Sequence, residues 1–189
     1  MSIAAHKLYG PKGIGALYIS SGTKLEKIIT GGYQERNRRA GTENIPAIAG
    51  FAKATELAYS IIHAESQREK ELRDYMETLI LEQIPSVTIN GNLNNRLSNI
   101  SNLTIDNAMA ESILFNLDLR GICISAGSAC SSGTLNPSHV LLALGHDTKM
   151  AKSSIRVSLG KFNTKEDIDE FVKQLELVVE QERNLSDLY

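Results

Sequence analysis

The sequence predicts an α/β fold on three observations. Apolar runs of strand length stand at 87–90, 122–125 and 154–159, helical spacing fills the stretches around them, and glycine or proline marks their junctions. From about residue 68 onward this alternation implies a small α/β domain with helices on one or both faces of a sheet. The three strands count against a helix bundle, the competing architecture. Residues 1–45 hold two glycine-rich loops and too few apolar segments for a core of their own. The expected organisation is therefore 1–45 as a segment that is not self-sufficient, 46–67 as a linking helix and 68–189 as the small α/β domain.

In chain order, Gly10, Pro11, Gly13 and Gly15 mark a turn after His6 and Lys7, and 16–19 follows as a short buried strand. The polar stretch 31–42, with Arg36, Arg38 and Arg39, reads as an ordered loop. Asn44 offers an N-cap to a helix on which Ile48, Phe51, Ala52, Thr55, Ala58, Tyr59 and Ile62 recur at helical spacing. A second amphipathic helix is predicted over about 65–83, with Leu72, Tyr75, Met76, Leu79 and Ile80 on one face and Pro85 at its exit. Residues 87–90 and about 99–105 are strands, the latter with imperfect alternation. Asp106 is placed to cap a helix carrying Met109, Ile113 and Leu117 that stops at Gly121. Residues 122–125 deliver the chain to a Gly/Ser-rich loop around Cys130. Asn136 and Pro137 have the cap and first-turn character of a short helix ending near Gly145. The strand at 154–159 sets Ile155, Val157 and Leu159 on one face and Arg156 on the other. Thr164 and Asp167 have capping-box spacing for a last helix that buries Ile168, Phe171, Val172, Leu175, Val178 and Val179.

Composition narrows the function classes. With 42% hydrophobic residues the chain can build a real core. Lys and Arg number 20 against 22 Asp and Glu, and no basic stripe interleaves with aromatics, so nucleic acid is not an expected partner. No run of about 18 apolar residues exists to cross a membrane, and the cytoplasm is the default location. The two cysteines, Cys123 and Cys130, do not form a disulfide scaffold, and with the histidines they make no zinc signature. Cys123, between Ile122 and Ile124, is expected to be a small buried hydrophobe. Cys130, among Gly127, Ser128, Ser131, Ser132 and Gly133, is expected to be reachable; its residue type alone leaves sulfur acceptance, metal ligation or neither open.

Four stretches together resemble one family. His6-Lys7-Leu8-Tyr9-Gly10-Pro11-Lys12-Gly13-Ile14-Gly15 closely resembles the lysine loop of the cysteine desulfurases of the class V aminotransferase superfamily. Ser125-Ala126-Gly127-Ser128-Ala129-Cys130-Ser131-Ser132-Gly133 resembles the flexible cysteine loop of the group that includes the iron-sulfur-cluster and nitrogen-fixation desulfurases. Ser153-Ser154-Ile155-Arg156-Val157-Ser158-Leu159-Gly160 and Arg39-Ala40-Gly41-Thr42-Glu43-Asn44 match two further segments in the family's order. The resemblance implies the C-terminal part of a pyridoxal phosphate fold-type I enzyme: 1–45 as the end of its large cofactor-binding domain, 68–189 as its small domain. It implies that Lys7 holds pyridoxal 5'-phosphate, with His6 near the phosphate and Thr42 reaching the phosphate of a partner subunit. It also implies that Arg156 fixes the substrate carboxylate through its fork of donors. Lys12, beyond Gly10 and Pro11, reads as an ordinary charged residue.

The implied reaction converts L-cysteine to L-alanine and leaves the sulfur on Cys130 as a persulfide. An iron-sulfur scaffold or another sulfur-acceptor protein would then receive it. A loop cysteine suits this work, because its thiolate must reach the substrate and then move outward. No intrinsic metal site is implied; Cys130 is at most a ligand during cluster transfer. The family's members are roughly twice this length, so the groups that stack on, protonate and hydrogen-bond the cofactor ring lie outside these residues. Ala4 stands where the family usually has a phosphate-holding serine. The implied assembly is a homo-oligomer, a dimer at least, with a separate N-terminal half as a candidate partner. The alternatives are an inactive fragment or non-catalytic partner of a split desulfurase and, third, a metal-binding module.

Overall fold

The computed structural model describes residues 1–126 and 137–186. The chain is α/β and divides into two compact units, Met1–Ile62 and His63–Tyr189.

In the first unit, β1 (Ser2–Ala4) pairs antiparallel with β2 (Gly15–Leu17), Ile3 standing opposite Ala16. A single 3-10 turn, Ala5–Leu8, leads away from β1. The ribbon is closed by the Tyr18 amide, which donates to the Met1 carbonyl at 2.8 Å. The strand expected to be buried at 16–19 is thus a correction: β2 is exposed along its length, because the unit has no apolar layer to set against it. Next, α1 (Gln34–Asn37) is a four-residue turn in which Glu35, Arg36 and Asn37 all take positive φ, between 51° and 62°. Asn tolerates this region better than most residues, and the Asn37 Oδ1 accepts a 2.8 Å bond from Lys27 Nζ.

Where two helices were expected, one continuous helix runs, α2 (Ile45–Gln83), and the boundary between the units falls within it. The apolar face changes near residue 63, but no Gly or Pro there breaks the backbone, so the helix continues. Its start follows the expected signal: Asn44 Oδ1 accepts from the Ala47 amide, and Pro46 sits in the first turn, where no donor is required. Gly50 lies where a Cβ would come within 2.7 Å of the Pro11 ring, so the absent side chain lets the turn at 10–13 approach the helix.

The second unit is built on an antiparallel sheet of order β3-β4-β6-β5, made of β3 (Val87–Ile89), β4 (Ile100–Ile105), β6 (Ser154–Ser158) and β5 (Ser125–Ala126). The register puts Ile105 opposite Val87 and Leu103 between Ile89 and Ile155, so these side chains share one face. Against that face pack Met76 and Ile80 of α2, Ile113 and Leu117 of α3 (Ala110–Asp118), and the apolar stripe of α6 (Lys165–Ser186) from Ile168 to Val179. One core forms, in which α6 supplies the residues its periodicity announced. Its N-terminus is a capping box: Thr164 Oγ1 accepts from the Asp167 amide, and Asp167 Oδ2 accepts from the Thr164 amide.

Several local expectations are corrected. Asp106 does not cap α3; its amide donates to the Ser86 carbonyl, its own carbonyl takes Arg183, and the helix starts after Met109. The short helix α4 (His139–Ala143) is capped by Ser138, while the expected cap Asn136 lies outside the described residues. A further helix, α5 (Thr148–Lys152), is capped by Asp147, which accepts from the Met150 amide. The imperfect alternation of β4 has a specific cause. Ser101 falls on the core side and donates at 2.6 Å to Glu77, a buried carboxylate that Arg96 also grips with two 2.6 Å bonds. Finally, Cys123 is exposed rather than buried: Ile122 and Ile124 turn inward against the core, and alternation sends the residue between them outward.

Candidate functional site

Lys7 sits on the 3-10 turn Ala5–Leu8, and the turn's backbone is held on both sides. The Ala5 amide donates to the Ile14 carbonyl at 3.0 Å, the Gly10 amide donates back to the Ala5 carbonyl at 2.9 Å, and Ala5 is fully buried. Tyr9 ends the turn in the left-handed region at φ 60°. Gly15 closes the loop where any Cβ would lie 2.5 Å from the Ile3 carbonyl oxygen, so only glycine permits β2 to pair here. The result is a fixed backbone that presents His6 and Lys7 outward. Neither side chain has a hydrogen bond or ion pair among the described residues, so the amine of Lys7 is uncommitted.

Thr42 belongs to the same unit, on the loop between α1 and α2. There Arg39 Nη1 donates to the Gly41 and Thr42 carbonyls, and Gln34 Oε1 accepts from the Gly41 amide. These bonds occupy backbone groups and leave the exposed Thr42 hydroxyl unbonded among the described residues. Cys130 and its Gly/Ser-rich loop, residues 127–136, lie outside the described residues.

Arg156 belongs to the second unit. On β6 it stands between Asn102 of β4 and Ser125 of β5 in cross-strand register, on the sheet face opposite the core. Its Nη2 donates to Ser125 Oγ at 3.4 Å, and its buried Nε has no partner among the described residues. No carboxylate pairs with it among the described residues. Sequence reading did not single out Asn102 or Ser125. The signal was the period-two pattern itself, which sets Asn102, Thr104, Ser154 and Arg156 on one face of adjacent strands.

A polar cleft of about 320 Å³ opens elsewhere in this unit, lined among others by Lys70, Arg73 and Arg96. Its cations are already engaged. Asp74 takes Lys70 and Arg73, and although burial alone would raise its pKa, these two hydrogen bonds hold it below the usual value. Arg96 is pushed up by its bonds to Glu77. Beside them, burial and the nearby Glu65 charge raise the Glu69 carboxyl. The cleft is an ion-pair clamp between α2 and the 91–98 loop. Among the described residues no group of His, Cys, Asp or Glu is arranged to hold a metal ion, and no helix is long and apolar enough to cross a membrane.

Comparison with known proteins agrees with the motif reading. The model of the family "Aminotransferase class-V" matches residues 1–171. A cysteine desulfurase IscS from Dictyoglomus turgidum is 48% identical over 98% of this chain and 47% of its own length. A solved NifS-like protein from Rickettsia africae superposes with a TM-score of 0.83 at 38% identity, over 95% of this chain and 47% of that one. A structure described as SspA in complex with cysteine aligns with a TM-score of 0.61 at 34% identity, over 86% of this chain and 44% of that one. The chain spans about half the length of the curated relatives it matches. The family match, the α/β architecture and the homology to cysteine desulfurases along nearly all of these residues lead to one assignment: the chain belongs to the class V aminotransferase family.

Proposed function

We propose that these residues form the C-terminal portion of a pyridoxal phosphate-dependent cysteine desulfurase, which converts L-cysteine to L-alanine and passes the sulfur to an acceptor. The observation that carries this reading is the uncommitted amine of Lys7 on a turn braced from both sides, in a chain homologous to cysteine desulfurases. An aldehyde cofactor needs a free amine on a rigid backbone, and the residues present fit that demand. Lys7 would hold the cofactor carbon, with His6 and Thr42 toward its phosphate. Residues 1–45 are read as the end of the large domain, 46–67 as the link and 68–189 as the small domain.

Pyridoxal phosphate, when bound, supplies the electron sink for bond changes at the substrate α-carbon. The chain's own residues do the rest. Arg156, with no acid paired to it among the described residues, takes the substrate carboxylate and so orients the α-carbon. The amine of Lys7 would accept and return a proton at the substrate α-carbon. The thiolate of Cys130 attacks the substrate sulfur: an S–S bond forms, the carbon–sulfur bond breaks, and the carbon keeps the electron pair and is protonated to alanine. Cys130 then carries a persulfide toward an iron-sulfur scaffold or another acceptor. Thr42 serving the site of a second copy makes the working unit at least a dimer.

A second reading, a non-catalytic partner in a split desulfurase, draws on the first unit, whose only buried apolar residues are Ala5 and Ala40. A separate N-terminal half would cover its exposed Tyr9, Leu17, Tyr18, Ile28 and Tyr33. One experiment addresses both readings. The chain is co-expressed with the N-terminal half of a similar desulfurase, loaded with pyridoxal phosphate and treated with borohydride, and the modified peptide is mapped. Modification at Lys7, with alanine formation from cysteine that Cys130→Ala abolishes, is expected. Modification at another lysine overturns the assignment of Lys7, and modification at Lys7 without turnover favours the non-catalytic partner.

A further inference from the structure

The sheet of the second unit carries, on the face away from its core, a continuous polar row: Asn90, Asn102, Arg156 and Ser125, one residue from each neighbouring strand or its end. The row is wired in one direction. The Met150 carbonyl can only accept, and Ser154 Oγ donates to it at 2.7 Å. With its single proton spent there, Ser154 accepts from Thr104 Oγ1 at 2.8 Å, and the Thr104 proton is spent in turn. Thr104 therefore accepts from Asn90 Nδ2 at 2.8 Å, and the 3.1 Å approach of Thr104 Oγ1 to Asn90 Oδ1 carries no proton. The second proton of the Asn90 amide reaches Asn102 Oδ1 at 2.7 Å. The ordering starts at a backbone carbonyl and ends by fixing which way the Asn102 amide faces.

With its oxygen held by Asn90, Asn102 has its Nδ2 left over. That group has no hydrogen-bond partner among the described residues, and Asn102 is only half-buried. Directly across the strand pair stands Arg156, whose buried Nε also lacks an acceptor among the described residues. Directly opposed side chains on one sheet face have Cβ atoms about 4.5–5.5 Å apart, a separation at which two donors can share one two-oxygen anion. Two adjacent donors, with neither a partner nor a carboxylate beside them among the described residues, form an acceptor-shaped gap.

We propose that Asn102 is a second carboxylate-binding residue, which together with Arg156 seats the carboxylate of an α-amino acid, and that Asn90 is the positioning residue that aims it. The inference rests on the reading of Arg156 given above and extends it to a residue with no charge of its own. An arginine alone pivots about its long side chain; a short amide donor on the next strand fixes the plane of the carboxylate and hence the direction of the α-carbon.

The test is made on the 189-residue chain without cofactor, by NMR of the arginine Nε–H and asparagine side-chain amide signals. It is titrated at constant ionic strength with L-alanine or with L-alaninamide, which keeps the ammonium group and lacks the carboxylate. The Arg156 and Asn102 signals are expected to move together with L-alanine and to stay still with the amide. Asn102→Ala is expected to weaken L-alanine about tenfold, the loss of one hydrogen bond to a charged group. Asn90→Ala, which frees the Asn102 amide to rotate, is expected to cost less, about threefold. Because the wild-type signals report contact directly, the result does not depend on the variants folding. Movement of Arg156 with a still Asn102 signal, and Asn102→Ala binding within about twofold of wild type, overturns the inference and leaves Arg156's role intact. No movement of either signal overturns the inference and the carboxylate role of Arg156 together, while the borohydride result at Lys7 stands apart from both.

Discussion

The two units solve the problem of holding a backbone still by different means. The second has one apolar core, with Met76, Ile80, Leu103, Ile113, Leu117, Ile155 and Leu175 fully buried. The first buries two alanines and exposes most of its large apolar side chains, Ile28 at 96%. Its order comes from close backbone approach: a two-stranded ribbon, a 3-10 turn closed by two hydrogen bonds, and glycines where no Cβ fits. Within these residues the Lys7 turn is held by backbone bonds and glycine contacts and not by large buried side chains. The difference means that side-chain truncation and backbone substitution will rank oppositely in the two units.

The largest expected effect lies in the core. Leu175→Ala should cost about 2–5 kcal/mol in urea unfolding, because a fully buried leucine leaves a cavity on the α6 side of the sheet. Ile28→Ala in the first unit should change stability by no more than about 0.5 kcal/mol. Equal costs for the two would erase the comparison. The middle effect reverses the ranking: Gly15→Ala sets a Cβ 2.5 Å from the Ile3 carbonyl. Amide exchange across β1 and β2 should then speed up by about tenfold or more, with the amides of β4 and β6 unchanged. If exchange in the ribbon is unaffected, close approach is not what orders it.

The smallest effect sharpens the electrostatics of the second unit. Burial and Glu65 hold the Glu69 carboxyl above its ordinary 4.5, so its charge opposes folding above the native pKa and ceases to do so below the unfolded one. Glu69→Gln keeps an acceptor for Ser98 and should raise Tm by about 1 °C near neutral pH, a gain that fades as the pH falls through about 4.5. Asp74 runs the other way. Its carboxyl is held below 3.8 by Lys70 and Arg73, so its contribution is present above that value and is lost as the pH drops through the native pKa. A Glu69→Gln chain less stable than wild type at neutral pH would contradict this account.

What the sequence made legible follows the same division. In the second unit, apolar periodicity located β3, β4, β6 and α6 and assigned their core faces, because burial in one core imposes period on each element. Where side chains turned to polar partners, pattern failed. Ser101 broke the alternation of β4 because it serves Glu77, and Asn102 went unremarked because its meaning lies in its neighbours on two other strands. In the first unit the glycine loops were visible, but the pairing of β1 with β2 and the exposure of both were not. Close approach of backbones writes glycine into the sequence without saying what approaches. Cys123 misled for a related reason: two inward isoleucines were read as a buried run, although the residue between them faces outward. Lys7, His6, Thr42 and Arg156 came from motif resemblance and not from periodicity.

The strand order of the second sheet sets a timetable for the ribosome. β6 lies between β4 and β5, yet it is synthesised after both, and the helix that seals the core, α6, emerges later still. At about 5–20 residues per second, β4 waits several seconds with one edge unpaired and the part of its apolar face that α6 will cover still open. A nascent chain of this topology spends that interval as a candidate for chaperones, and codon changes that slow translation between residues 105 and 154 lengthen it without altering a single amino acid.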